Sequence, residues 1–287
     1  MSTSGRQWRR AGLLVLAMLV LAALASRYLS PLRQATGFVV PSAAEAKKAE
    51  AAFASALAGN DTQLPPGLVA VRQEGYRVLG EKAGQCGGQG TYLLREPPAL
   101  PLAIVAPHRG SDRHTGTIAA SLFDESPAAA AAWNSAPRRA NAGCPAGDPT
   151  RHPTHHLTAF SLAFAAAYPQ GRVVQLHGFD GARRTSRAAQ LADIILSQGT
   201  RTPAPSLYDL ADCLSRRLHP WRVRVFPGDV DELGALENRQ GQALAAAGFT
   251  GFAHIELSRE VREALVADGA QRAVFGRCLA TGVTSAR

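Results

Sequence analysis

An apolar run over 102–106 ends in Pro107-His108-Arg109-Gly110-Ser111-Asp112-Arg113-His114. An imidazole and a carboxylate with three residues between them, on a glycine-containing turn after a strand, can converge on one metal ion. A second run, 172–176, delivers His177-Gly178-Phe179 to the same edge. Two imidazoles and one carboxylate with a fourth position left open form a catalytic zinc donor set. Asp112 has a competing use as the cap of a helix that starts near Thr115. A third stretch reads Gly251-Phe252-Ala253-His254-Ile255-Glu256-Leu257-Ser258. On a strand, Ala253, Ile255 and Leu257 share one face, and Phe252, His254 and Glu256 share the other. A carboxylate near the end of such an apolar strand is costly unless a metal site or a basic partner compensates it. The basic partners on offer are Arg259 and Arg262, in the helix that Ser258 opens as N-cap.

Strand ends need strands. Short apolar runs predict strands over 76–80, 91–95, 102–106, 172–176, 193–196, 222–226 and 252–257. Longer stretches predict helices over 115–124, 127–133, 154–168, 206–218, 238–247 and 260–267. This alternation predicts an α/β sandwich with a mainly parallel sheet, whose sites form at the carboxyl ends of the strands. Residues 67–280 make up that domain. Residues 26–66, rich in alanine and ending in Leu64-Pro65-Pro66-Gly67, read as a helical or flexible spacer. In front of it, Arg6, Arg9 and Arg10 precede the uncharged run 11–25, closed by Ala23-Leu24-Ala25. That is the pattern of an export signal, shorter than the ~20 residues of a spanning helix. If uncleaved, it would anchor the chain in the cytoplasmic membrane with the domain outside.

The 287-residue chain is 46% hydrophobic and 18% charged, which excludes a disordered protein. Its net charge of +9 is scattered, with small clusters at Arg138-Arg139, Arg183-Arg184 and Arg216-Arg217 and no interleaved aromatics. Nucleic acid is therefore not the expected partner; an acidic peptide substrate or an anionic wall polymer is. Cys86, Cys144, Cys213 and Cys278 contain no C-x-x-C pair, and an even number in an exported chain points to as many as two disulfides, in any of three connectivities. The stretch His152-Pro153-Thr154-His155-His156 reads as an exposed loop or lid, with metal binding as the competing use.

Taken in order, His108 and Asp112, His177 within Leu176-His177-Gly178, Asn238-Arg239, and His254-Ile255-Glu256-Leu257-Ser258 with Arg262 resemble the phage-type poly-γ-glutamate hydrolases, relatives of the zinc carboxypeptidases in the α/β metallopeptidase group. The resemblance covers about 103–265. It implies a three-layer sandwich around a mainly parallel or mixed sheet, zinc-carboxypeptidase-like, with Zn²⁺ on His108, Asp112 and His177 and with Glu256 as general base. It also puts Arg239 forward as a ligand for a substrate carboxylate. Arg138 and Arg139 join it only through their place between the metal motifs. The chain departs from that family at Asp112, where a glutamate at a different distance is usual, so His114 competes as a ligand. The N-formylglutamate amidohydrolases are a second relative with a similar set of groups. The expected function is an exported zinc-dependent hydrolase of amide bonds in glutamate-containing peptides, γ-linked or from the cell wall. The alternative is a non-catalytic envelope protein of the same fold that binds acidic peptides or wall polymers.

Overall fold

The computed structural model describes residues 38–284 apart from 61–62, 83–85, 98–99, 140–143 and 145–146. The expected signal segment, 1–25, lies outside the described residues. In chain order the elements are helix α1 (Ala43–Leu57), strands β1 (Val69–Gln73), β2 (Tyr76–Gly80), β3 (Thr91–Arg95) and β4 (Leu100–Ala106), then α2 (Thr115–Glu125), β5 (Ala128–Trp133), α3 (His156–Ala167), β6 (Arg172–Gly178), α4 (Arg187–Leu191), β7 (Ile194–Ser197), α5 (Pro205–Arg217), β8 (Val223–Val225), α6 (Arg239–Ala246), β9 (Phe252–Leu257), α7 (Arg259–Ala267) and α8 (Gly269–Leu279).

Among the described residues all nine strands join one mixed sheet in the order β1-β2-β3-β5-β4-β6-β9-β7-β8. The centre, β5-β4-β6-β9, is parallel, whereas β1-β2-β3-β5 and β9-β7 pair antiparallel. Side-chain alternation divides the core into two layers. Ile104, Leu176, Ala253, Ile255 and Leu257 pack under α2, α5, α7 and α8, meeting Phe123, Leu210, Leu265 and Phe275. On the other face Val105, Val173 and Phe252 meet Phe53, Phe160 and Leu244 from α1, α3 and α6. The chain is thus a three-layer α/β sandwich, and the face expected for Ala253, Ile255 and Leu257 is the one they occupy.

Three expectations need correction. The stretch 127–133, read as a helix from its alanines, is strand β5. Alanine favours helix by fractions of a kcal/mol per residue, but every residue of β5 is buried, and the strand is hydrogen-bonded to β3 on one side and β4 on the other. Tertiary context decides. The spacer is not merely a spacer, because α1 buries Ala49, Ala52, Phe53 and Ala56 against the domain. The Phe53 ring lies 4.4 Å from that of Tyr92 and 5.5 Å from that of Phe160, and burying one such side chain is worth about 1.5–3 kcal/mol. The stretch 152–156 is a turn into α3, as expected of a loop, but it is not an exposed lid throughout: His155 and His156 are buried, and His155 Nδ1 accepts the Leu157 amide as a helix cap at 3.0 Å.

Two disulfides, Cys86–Cys144 and Cys213–Cys278, account for all four cysteines; the second ties α5 to α8. They fit an oxidising, exported location. No helix among the described residues is long and apolar enough to cross a membrane.

Candidate metal centre

Strand β4 stops at Ala106, and the chain turns at once: the amides of Ser111 and Asp112 both donate to the His108 carbonyl at 2.8 Å. This turn folds Asp112 back over His108. Asp112 Oδ2 lies 3.4 Å from His108 Nδ1 and 3.3 Å from His177 Nδ1, and it accepts the Gly178 amide at 3.2 Å. All three side chains are buried, and one ligand atom from each lies within 4.8 Å of the other two. The carboxylate of Asp112 does not cap α2; its backbone carbonyl takes the Thr115 amide and hydroxyl instead. His114, the competing ligand, occupies the N-cap of α2 at φ 74° and stands outside this group.

The remaining ring nitrogens are held from behind. Asp148 Oδ1 sits 2.8 Å from His108 Nε2, so that nitrogen carries the proton and Nδ1 keeps its lone pair. Gln175 Oε1 plays the same part for His177 Nε2 at 3.4 Å. Gln175 is itself fixed, accepting from Asn238 Nδ2 at 2.7 Å and donating to Gln240 Oε1 at 3.0 Å. Gln240 in turn donates to the Pro149 carbonyl and to Thr158 Oγ1. An acceptor behind each imidazole is the arrangement that orients metal-bound histidines. The sequence offered no signal for this support: Asp148, Gln175 and Gln240 are unremarkable until the fold brings them together.

The electrostatics favour a cation. Burial works to raise the Asp112 carboxyl, but His108 and His177 outweigh it and hold that group far below the usual range. Burial likewise opposes protonation of His108, yet the carboxylates of Asp112 and Asp148 pull its pKa upward. His177 moves down, by burial first. Buried His108 Nδ1 makes no hydrogen bond of acceptable geometry. An ionised carboxylate, two oriented imidazoles and an orphaned donor atom fit a divalent metal of the zinc kind.

Glu256 arrives through the sheet register. On neighbouring parallel strands His177 pairs with Glu256, and Gln175 with His254, which puts all four on the α3/α6 side. Glu256 is 9% exposed, its Oε2 has no hydrogen-bond partner, and its Oε1 is 3.8 Å from His254 Nε2. Burial, and after it the nearby Asp112 carboxylate, push its pKa up to about 7. Neither expected arginine pairs with it. Arg259 bonds Glu263 at 2.9 Å, and Arg262 donates to the Ser258 and Arg113 carbonyls. The Arg262 guanidinium crosses Gly178 so closely that a Cβ there would sit 2.6 Å from Cζ, so a larger residue at 178 would displace the guanidinium from that crossing. Arg262 thus clamps the metal-side turn to β9.

These groups floor a cleft of about 470 Å³. Of the three arginines expected to hold substrate, Arg138 lines it, donating to Asp148 Oδ2 at 3.2 Å and approaching Asp112 Oδ1 to 4.0 Å. Arg139 is exposed and not among the lining residues. Arg239 is also exposed, bonded to Gln242, while its neighbour Asn238 faces the cleft. Arg151, which sequence reasoning passed over, lines the cleft as well.

No protein-family model and no curated protein matches the sequence. Among solved structures the chain is similar to an N-formylglutamate amidohydrolase from Ralstonia eutropha JMP134, at 17% identity and a TM-score of 0.44 over 67% of this chain and 96% of that one. A gene product of Agrobacterium tumefaciens matches at 13% identity and a TM-score of 0.37, covering 63% and 91% of the two chains. A candidate metallopeptidase from Shewanella baltica OS155 matches at 12% and 0.30, covering 83% and 88%.

Proposed function

We propose that the chain is an exported metal-dependent hydrolase of amide bonds in glutamate-containing peptides, γ-linked or from the cell wall. The observation that carries this reading is the convergence of His108, Asp112 and His177 beside a buried Glu256 that is the register partner of His177 and whose Oε2 has no hydrogen-bond partner. His108, Asp112 and His177 would hold zinc, which when bound supplies a Lewis acid for the scissile carbonyl and acidifies a water.

The chain's own groups do the rest. A carboxylate poised at about 7 can take a proton near neutral pH, and Glu256 is so poised. It accepts the proton of the attacking water and passes it to the leaving nitrogen. Arg138, at the rim with its side chain 42% exposed, is placed to pair with a substrate carboxylate, and Arg151 stands beside it. Burial of the cleft floor keeps the reacting groups out of bulk water. The glutamyl substrate class comes from the sequence resemblance and from this cationic rim.

The test is Glu256→Gln, which preserves shape and cannot accept a proton. The variant is expected to fold, to keep zinc at His108, Asp112 and His177, and to lose about 10²–10⁴-fold in hydrolysis of γ-glutamyl peptides. A zinc-loaded wild type without amidase activity on glutamyl or wall peptides would overturn the reading.

A further inference from the structure

His254 has no part in the roles given above, yet it is only 5% exposed and lines the cleft beside His177 and Glu256. The His177 ring stacks on it, centroids 4.4 Å apart, and His254 Nε2 faces Glu256 Oε1 at 3.8 Å, beyond hydrogen-bond range. The other ring nitrogen is occupied. Ser197, the register partner of His254 on β7, brings its Oγ to 3.2 Å from Nδ1. Ser197 is fully buried, and its hydroxyl has no other partner among the described residues. A buried O–H without an acceptor is costlier than an unused lone pair, so the hydroxyl donates to Nδ1 and the ring hydrogen sits on Nε2. The carboxylate opposite Nε2 favours the same tautomer. A protonated ring would carry a hydrogen there too, so the donor does not depend on the charge of the ring.

The other buried side-chain N–H donors of the floor are committed: His108 Nε2 to Asp148, and His177 Nε2 and Asn238 Nδ2 to Gln175. Of these donors His254 Nε2 alone has no acceptor within range among the described residues. One ring or carboxylate atom each from His177, His254 and Glu256 falls within 4.8 Å of the other two. The free donor therefore stands between a metal ligand and the group read as the base, where the reacting amide must lie. We propose that His254 Nε2–H receives the scissile carbonyl oxygen as negative charge builds on it, and that Ser197 is the positioning residue that fixes this tautomer. The role rests on the amidase reading given under the proposed function. The oxygen gains charge as water adds to the carbon, so a donor already fixed there strengthens toward the transition state without reorganising. A carbonyl oxygen has two lone pairs, so the donor acts beside a Lewis acid rather than in place of it.

His254→Leu, close in bulk but without a donor, is expected to keep its zinc and a KM within about threefold while kcat falls by about 10²–10³-fold, the loss for one such donor. Its affinity for a phosphinate analogue of a γ-glutamyl peptide, tetrahedral and anionic where the amide is planar, should fall by a comparable factor. His254→Gln, which returns an N–H, should regain all but about tenfold of the rate. The tautomer is read without any hydrolysis, by long-range nitrogen–proton NMR on the ¹⁵N-labelled full chain, the His254 signals being those missing from the leucine variant. The Nε2–H pattern is expected, and an Nδ1–H ring in the wild type overturns the proposal. So does a leucine variant with kcat within about threefold of the wild type, or one in which KM rises and kcat stays. Should that variant not fold, His254→Met is judged by the same split. A ring that stays Nε2–H in Ser197→Ala removes Ser197 from the proposal. Hydrolysis that survives the loss of the donor overturns this role alone, whereas a zinc-loaded wild type that cleaves no glutamyl or wall peptide overturns the amidase reading and this role with it.

Discussion

Substitution of Asp148 by alanine leaves all three converging donors in place and should still weaken zinc binding. Asp148 Oδ1 fixes the protonated nitrogen of His108 at 2.8 Å, which keeps the Nδ1 lone pair directed at Asp112 and His177. Loss of such a supporting carboxylate typically costs 10–100-fold in metal affinity, about 1.4–2.8 kcal/mol. The Asp148 side chain is only 14% exposed, so its charge is poorly screened and the upper part of that range is expected. Asparagine at 148 can still accept the His108 N–H but brings no charge, and about tenfold is expected. Competition against a chromogenic chelator measures both. One confounding effect is measurable separately, because Asp148 also accepts from the Thr150 amide at 3.1 Å and hydroxyl at 2.7 Å. Losing that cap should lower the stability of the metal-free protein by about 1 kcal/mol, read by urea unfolding. If the alanine variant loses the stability yet binds zinc within about twofold of the wild type, Asp148 is a cap and nothing more, and the orientation argument for His108 fails.

His108→Ala and His177→Ala should each abolish stoichiometric zinc, whereas His219→Ala, exposed and remote in sequence from both metal motifs, should retain it; metal analysis of the purified proteins decides, and full zinc in both site variants would place the metal elsewhere. Burial, and then its neighbour His156, lower the pKa of His155 to about 3, so below the unfolded value near 6.5 the unfolded chain takes up a proton that the folded chain refuses. Stability is therefore complete above pH 6.5 and declines as pH falls toward 3, by about 2 kcal/mol at pH 5 from this residue; His155→Asn, which keeps a cap acceptor, should flatten the decline, and an unchanged pH profile would contradict the assignment. Replacing both Cys213 and Cys278 by serine opens a crosslink with a sequence separation of 65 and should cost about 4 kcal/mol in denaturant unfolding; a loss below about 1 kcal/mol would mean that the unfolded chain is already constrained there.

What the sequence made legible was whatever local pattern determines. Apolar runs located β2, β3 and β9 to the residue, because each is bounded by turn residues and buried on at least one face. His108, Asp112, His177 and Glu256 could be singled out because each sits at or just past the end of such a run. Strand β5 misled because five alanines carry a helix preference that only its two flanking strands override. Helix α8 went unassigned although Asp268 announces it by accepting the Ala270 and Gln271 amides. Asp148 and Gln240 were out of reach for a different reason: they act through side-chain bonds to residues 40 and 65 positions away, and no local pattern encodes such distances.

The fate of the two arginines after β9 bears on why Glu256 is where it is. Sequence alone left open that Arg259 or Arg262 neutralises it, in which case the carboxylate would be an ordinary piece of structure. In the fold Arg259 is drawn off by Glu263, and Arg262 serves two backbone carbonyls across Gly178. Glu256 is thereby left in an apolar strand with Oε2 unpaired. A buried polar atom without a partner costs about 1–3 kcal/mol, more when the group is charged. Leucine or methionine at 256 would escape that cost and pack against the same strands. A carboxylate held at a loss, paired in register with His177 and pushed toward neutral pKa by burial and then by the Asp112 charge, is what proton transfer requires and what stability disfavours.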